Sequence, residues 1–322
     1  MTAARPARVL ALDLGGTRLK SAVVEVETGI VTGFAITDSA PDADAALAKV
    51  AAAGDRLRAG QPVDAVGLCL PGLVAEDGRV VALPGKLAGI VGRNVAAWLR
   101  ERFGLAATVV NDAVAFGVGE ARDGAARGHA RAVVVTIGTG IGCCVLTGGA
   151  PITTGALGGG ILGGQIPIAP ATGGPVDTNG RHGTIEALCA AARIVDQVRA
   201  AGGGAASVPE AYAAWHAGAA AARAGIAAYR CDLARALVAL AHAHTPSVIV
   251  LGGGPATPEA PILVGLEAEV NTALWPGYAV TVRPARLGDR AALLGLAHLT
   301  AAAARTPPGT EHEAPSPAPP RS

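Results

Sequence analysis

One pattern occurs twice in the chain and constrains the fold more than any other feature. Residues 9–14 are apolar, Gly15-Gly16-Thr17 turns, and residues 19–26 alternate as a second strand. Much later, residues 132–137 are apolar, Gly138-Thr139-Gly140-Ile141-Gly142 turns, and residues 143–146 form a second strand closed by Thr147-Gly148-Gly149. Strand, Gly/Thr turn, strand, turn in both places predicts an internal duplication. In the first copy Thr28-Gly29 turns again and residues 30–37 add a third strand, making an antiparallel meander.

Each copy leads into alternating helices and strands. Residues 42–59 are expected to be helical, with sparse anchors at Leu47, Val50 and Leu57. A buried strand at 65–70 ends in Pro71-Gly72, an amphipathic helix covers 95–103, and a strand at 108–110 runs into Asn111-Asp112 before a helix at 113–126. The second half predicts long helices at 184–201 and 209–244 and a strand at 247–251 ending in Gly252-Gly253-Gly254. A strand at 279–283 and a helix at 289–304 follow. Mixed β–α order of this kind places the chain in the α/β class. Beyond residue 305 the Pro-rich run TPPGTEHEAPSPAPPRS lacks the apolar residues to offset ordering, and disorder is expected.

Composition restricts the partners. The 322 residues are 51% hydrophobic and 16% charged, which suits a core-forming globular protein. Lys plus Arg number 26 and Asp plus Glu 25, so no basic excess points to nucleic acid. Arginine dominates the basic residues, and lysine occurs only at 20, 49 and 86. The apolar runs are shorter than the ~20 residues of a spanning helix, and the N-terminus does not read as a signal peptide. A soluble cytoplasmic protein without a membrane partner is expected. Five cysteines (69, 143, 144, 189, 231) form no CxxC and read as reduced thiols.

The two glycine turns are the first candidates for chemistry. Asp13 enters a Gly-Gly-Thr turn, which sets a carboxylate beside free backbone N–H groups and a hydroxyl. Such a carboxylate suits a hydrated magnesium ion held through water. The Gly138–Gly142 turn repeats that chemistry without the acid, so the pair can hold the two ends of a polyphosphate. A plain hairpin is the competing reading of each. Neither matches GxxxxGK[ST], and neither is a GxGxxG opening a helix. Asp112, between strand and helix, is either an N-cap or a general base at the C-terminal edge of a sheet. Gly253 and Gly254 leave room for a flat base against the backbone.

Taken in order, DLGGTRLK at 13–20, GLCLPG at 67–72, VVNDAVAFGVGE at 109–120, TIGTGIG at 136–142, IVLGGG at 249–254 and LGDRAALLGLA at 287–297 resemble the ROK family of sugar kinases and related repressors. That family lies within the actin/hexokinase-type ATPase superfamily. The motifs span nearly the whole chain up to about residue 304, and their order is specific where each alone is not. The resemblance implies a two-lobed actin-like ATPase fold, with ribonuclease-H-like lobes and a central cleft. Residues 1–120 would form the first lobe, with the helix at about 289–304 packing back on it, and residues 121–288 the second. ATP and magnesium would lie in the cleft, and the γ-phosphate would pass to a sugar hydroxyl.

The resemblance also assigns roles. Asp13 organises magnesium. Gly15, Gly16, Thr17 and Lys20 sit with the phosphates, as do Gly138, Thr139 and Gly140. Gly253 and Gly254 lie near the adenosine. Asp112 is the base, and Pro71, Gly72, Asn111 and Glu186 stand on the acceptor side. A homodimer is implied, since relatives are often dimers.

Three departures bear on the acceptor. Where the family usually has Gly-Glu-x-Gly-His, this chain has Gly160-Ile161-Leu162-Gly163-Gly164. Where it usually has the zinc motif CxCGxxGCxE, this chain has Asp177 to Glu186 with no cysteine, and no structural zinc is expected. Where relatives commonly have Asn-Leu-Pro-Gly-Trp, this chain has Ala82-Leu83-Pro84-Gly85-Lys86. A pocket built for glucose hydroxyls does not lose several partners cheaply, at about 1–3 kcal/mol for each unpaired buried group. The expected enzyme is therefore an ATP-dependent kinase acting on a primary hydroxyl of an altered acceptor. A seven-carbon cyclitol of the valiolone or valienone type, or a modified aminosugar, is that acceptor. The alternatives are a glucokinase or N-acetylmannosamine kinase, and a non-catalytic sugar-binding protein. A repressor is disfavoured, because only 12 residues precede Asp13.

Overall fold

The computed structural model describes residues 7–152 and 162–304. Strands β1 (Arg8–Leu14), β2 (Arg18–Glu25), β3 (Val31–Asp38), β4 (Ala65–Leu70) and β7 (Ala106–Asn111) form a sheet of order β3-β2-β1-β4-β7. Its meander is antiparallel, and β4 and β7 run parallel to β1. The short strands β5 (Leu73–Val74) and β6 (Val80–Ala82) pair separately. The second sheet contains β8 (Arg131–Ile137), β9 (Ile141–Thr147), β10 (Ala150–Pro151), β11 (Val248–Gly252) and β12 (Thr281–Pro284), in the order β10-β9-β8-β11-β12. The two orders are the same, with the same strand directions. The duplication read from the turns therefore extends through the whole sheet.

Helix α1 (Ala43–Gly60) starts where Asp42 accepts the Ala45 N–H, and α2 (Val95–Phe103) is capped by Asn94 and ended by left-handed Gly104. Both cover the face of the first sheet that carries Leu10, Leu12 and Leu14. The second sheet turns Val133, Val135 and Ile137 toward α4 (Ile185–Cys189), α5 (Ala192–Ala200), α6 (Val208–His216), α7 (Ala220–His244) and α8 (Leu266–Ala273). Two expected long helices are thus each divided. The first breaks at Ala190, whose ψ of 152° is extended, and the second at Gly218, whose φ is +84°.

Helices α3 (Asp112–Asp123) and α9 (Ala291–Ala303) hold the halves together. Each follows the last strand of its own sheet, yet α9 packs on β1, β2 and β4 while α3 packs on β8 and β9. The strands meet them with small residues, Ala11 and Ala22 in one sheet and Ala132 in the other. The doubled sheet with crossed helices is the actin-like ATPase fold, with a cleft between the sheets. No helix among the described residues is long and apolar enough to cross a membrane. The Pro-rich tail and Ile161 lie outside the described residues.

Candidate active site

The cleft has a volume of about 1000 Å³ and is lined from both halves. Asp13, Lys20, Pro71, Gly72, Lys86, Asn111 and Asp112 come from the first, and Gly138, Thr139, Gly140, Glu186, Gly253 and Gly254 from the second. The C-terminal ends of β1, β4, β7, β8 and β11 therefore converge, as parallel strand ends in open α/β sheets do.

Asp13 is the last residue but one of β1. It accepts an ion pair from Lys20 at 3.3 Å and a hydrogen bond from the buried Cys69 thiol at 3.5 Å. Lys20 also reaches Asp289 at 3.1 Å. Burial works against the Lys20 charge, but Asp13 and Asp289 outweigh it and hold its pKa above the ordinary value. Asp289 and Cys69 were not singled out in the sequence. Asp289 arrives from the turn before α9, and only the fold brings it to β1.

Asn111, and not Asp112, is the N-cap of α3. Its side-chain oxygen accepts the Ala113 and Val114 N–H groups, and its amide donates to the Gly72 carbonyl at 2.8 Å. Asp112 thus occupies the first helical turn with its carboxylate at the cleft, accepting the Ala113 N–H at 2.8 Å. Burial and the nearby Asp13 charge raise its pKa to about 6, against the Ala113 N–H and the Lys86 cation, which pull it down. A half-buried carboxylate ionised only near neutrality is suited to take a proton from a hydroxyl.

The two glycine turns flank this centre. Gly15 donates its N–H to the Arg18 carbonyl; Gly16 and Thr17 are exposed, and the turn meets the cleft through Lys86, whose stem lies against Gly16, rather than lining it directly. Gly138 donates to the Gly140 carbonyl. Gly253 has a φ of +91°, and a Cβ there would collide with the Ile137 carbonyl, so this backbone lies directly against the second turn.

Glu186 is buried, and its carboxylate already has protein partners. It accepts the Ile141 N–H at 3.1 Å, the Thr178 N–H at 2.9 Å and the Thr178 hydroxyl at 2.6 Å. It ties the second turn to the loop carrying Asn179 and Arg181. Replacing it with alanine leaves the buried Ile141 N–H unpaired, and Glu186→Ala is expected to cost about 2 kcal/mol, read by thermal or denaturant unfolding.

The region that stands where relatives usually carry the zinc motif is organised by one carboxylate. Asp177 accepts the Asn179 and Arg181 N–H groups, the Arg181 guanidinium and the Thr184 hydroxyl, at 2.8 to 3.2 Å. Burial opposes its charge, but these donors outweigh it and hold the pKa below the usual carboxylate value. His182 faces the Pro175 carbonyl. Among the described residues no group of three or more His, Cys, Asp or Glu side chains is placed to hold a metal ion. At Gly164 a Cβ would lie 2.7 Å from the Ile141 carbonyl, so the backbone closes the space a side chain would need.

This geometry agrees with the comparisons to known proteins. The family model described as "ROK family" matches residues 9–303. A glucokinase of Thermotoga maritima is 27% identical over 91% of this chain and 96% of its own length. The crystal structure of a ROK hexokinase from Thermus thermophilus superposes with a TM-score of 0.75 at 29% identity, covering 92% of this chain and 98% of that one. A ROK glucokinase from Streptomyces griseus, in complex with glucose and AMPPNP, superposes with a TM-score of 0.77 at 22% identity, covering 91% and 98%. With the doubled sheet, the crossed helices and the Asp13/Asp112 cleft in place, the chain belongs to the ROK family.

Proposed function

We propose that the protein is a cytoplasmic ATP-dependent sugar kinase. The observation that carries this reading is the half-buried Asp112, with a pKa of about 6, lining one cleft with Asp13, Lys86 and the Gly138–Gly142 turn. The T. maritima and T. thermophilus relatives support it by their names, and the S. griseus structure by its glucose and AMPPNP.

In this reading the backbone N–H groups of Gly16, Thr17, Thr139 and Gly140 hold the phosphates, Gly15 and Gly138 close the two turns with their own N–H groups, and Gly253 and Gly254 accommodate the adenosine. The oxygen set Asp13 and Asp289, already shared with Lys20, fits a hydrated cation better than a directly ligated one. Magnesium, when bound, supplies charge neutralisation at the phosphates. Asp112 orients the acceptor hydroxyl and takes its proton. Asn111 holds the helix end that carries Asp112. Closure of the lobes, divided as 1–120 with the last helix against 121–288, would exclude water and limit ATP hydrolysis.

The acceptor end carries Ala82, Leu83, Pro84 and Leu162 beside Gln165, Asn179 and Arg181. Ala82 and Gly164 offer no side-chain hydrogen bond, which supports a cyclitol or modified aminosugar over glucose. Glucose, which the two glucokinase relatives favour by name, and N-acetylmannosamine remain the alternatives. A coupled ADP-release assay with Mg-ATP tests this against glucose, mannose, N-acetylmannosamine, kanosamine and valiolone-type cyclitols. Turnover with at least one of these is expected. Turnover with glucose and no cyclitol would overturn the reading of Ala82 and Gly164. ATP binding without turnover on any acceptor would favour a binding protein. Light scattering tests the accompanying proposal of a homodimer.

A further inference from the structure

The chain has three lysines, and two of them are tied. Lys20 is paired with Asp13 and Asp289, and Lys49 donates to the carbonyls of Asp38 and Ser39. Among the described residues Lys86 has neither an ion-pair partner nor a hydrogen bond from its ammonium group. It is half-buried and lines the cleft with Asp13 and Asp112.

Its direction is built into the backbone. Gly85 has a φ of +70°, and Leu87, a non-glycine residue, has a φ of +47°. A bulky residue in the left-handed region costs roughly 1–3 kcal/mol and persists only where its surroundings enforce it. Here they do: the Leu87 side chain is 1% exposed in the core. Ala88 then exchanges hydrogen bonds with Pro41 and Ala43 at the start of α1. A strained residue on one side and a left-handed glycine on the other hold the lysine between them. Its stem crosses the first glycine turn so closely that a Cβ on Gly16 would lie 2.8 Å from Lys86 Cδ.

An unpaired ammonium is thus carried over the first glycine turn, on the same side of the cleft as the base. Ammonium groups bind phosphate oxygens well as compact point charges. We propose that Lys86 is a catalytic residue whose ammonium contacts the γ-phosphoryl group during transfer. The proposal rests on the kinase reading above. In the step, the acceptor oxygen forms a bond to the γ-phosphorus and the bond from phosphorus to the bridging oxygen breaks. The bonding electrons leave with ADP, and the hydroxyl proton passes to Asp112. Lys86 stays protonated throughout and offsets the negative charge on the equatorial oxygens.

The test uses the whole chain and compares Kd values for Mg-AMPPNP and Mg-ADP by calorimetry. Lys86→Met is expected to weaken Mg-AMPPNP by about tenfold and to leave Mg-ADP within about twofold, because only the former carries a γ-phosphoryl group. Lys86→Arg, which keeps the charge, is expected to restore most of that loss. In turnover, Lys86→Met should lower kcat with little change in acceptor KM. Unchanged Mg-AMPPNP affinity, or equal losses for both nucleotides, overturns the proposal while leaving the kinase reading intact. So does a rise confined to acceptor KM, which would assign Lys86 to an acidic acceptor. Wild-type protein that binds neither nucleotide would overturn the kinase reading and this proposal together.

Discussion

Asp112→Asn is expected to abolish phosphoryl transfer and, at the same time, to make the protein more stable. The loss of activity follows from the proposed role: removing a positioned general base costs about 10² to 10⁴-fold. The gain in stability follows from burial. Asp112 is an acid whose folded pKa, about 6, lies above its ordinary value of 3.8. The native state therefore holds a proton that the unfolded chain has already released. Its contribution is fully present below the unfolded pKa and is lost as pH rises through about 6. At pH 8 the buried charge opposes folding by up to roughly 3 kcal/mol. Asparagine keeps the shape and can still accept the Ala113 N–H, but it carries no charge.

Two measurements check this. Thermal melts at pH 8 should show Asp112→Asn above wild type by about 5 °C, and the difference should shrink toward pH 4. The wild-type kcat/KM profile should have an acidic limb near pH 6 and a plateau above it, since only the carboxylate accepts a proton. Lost activity with unchanged or lowered stability would mean that Asp112 is held in its charged form by partners the burial argument omits. Retained activity would remove it from the proton-transfer step altogether.

The site acids were legible because each sits at a sequence punctuation mark. Asp13 precedes Gly-Gly-Thr, and Asp112 begins an apolar helix straight after a strand. Asp112 was also read as a possible N-cap, and the structure gives that role to Asn111. The two residues are adjacent and both are good caps, so propensity alone does not choose between them. Lys86, Asp289 and Cys69 lie within the motif segments, but nothing in those segments assigns them a role in the site. Lys86 and Asp289 reach the cleft, and the buried Cys69 reaches Asp13, through the packing of distant segments, and only the tertiary fold reveals them. For Lys86 the one signal was its place where the family commonly has tryptophan, a substitution that brings a new charge.

The secondary structure shows the same division. Helix α2 has Asn94 before it and Gly104 after it, and its expected limits were those observed. The breaks at Ala190 and Gly218 fall inside alanine-rich runs, where apolar periodicity has little contrast and no proline marks the stop. The short β10 was not expected either. Two residues after a Gly-Gly turn show no alternation, and only pairing with β9 defines them as a strand.

Gly295→Val is expected to be the most destabilising single change. Glycine 295 lies on α9 where that helix crosses α3, and a Cβ there would overlap the Ala115 carbonyl. From the other side, a Cβ on Gly119 of α3 would overlap the Ala291 carbonyl. The two backbones are in direct contact at two reciprocal points, and neither obstacle is a flexible side chain that can turn away. Inserting a branched side chain must push the helices apart along the face that joins the two sheets. Interior overpacking typically costs about 1–3 kcal/mol and occasionally more. With backbone as the obstacle, a loss of at least about 3 kcal/mol is expected, read as a lower midpoint in denaturant unfolding. Helix α3 begins at Asp112, so separation of the helices also displaces the proposed base. Gly295→Val protein that still folds should therefore lose kcat disproportionately, since a shift of about 1 Å at a reacting centre can cost 10²-fold. A stable, fully active Gly295→Val variant would show that the crossing is not the joint on which the site depends.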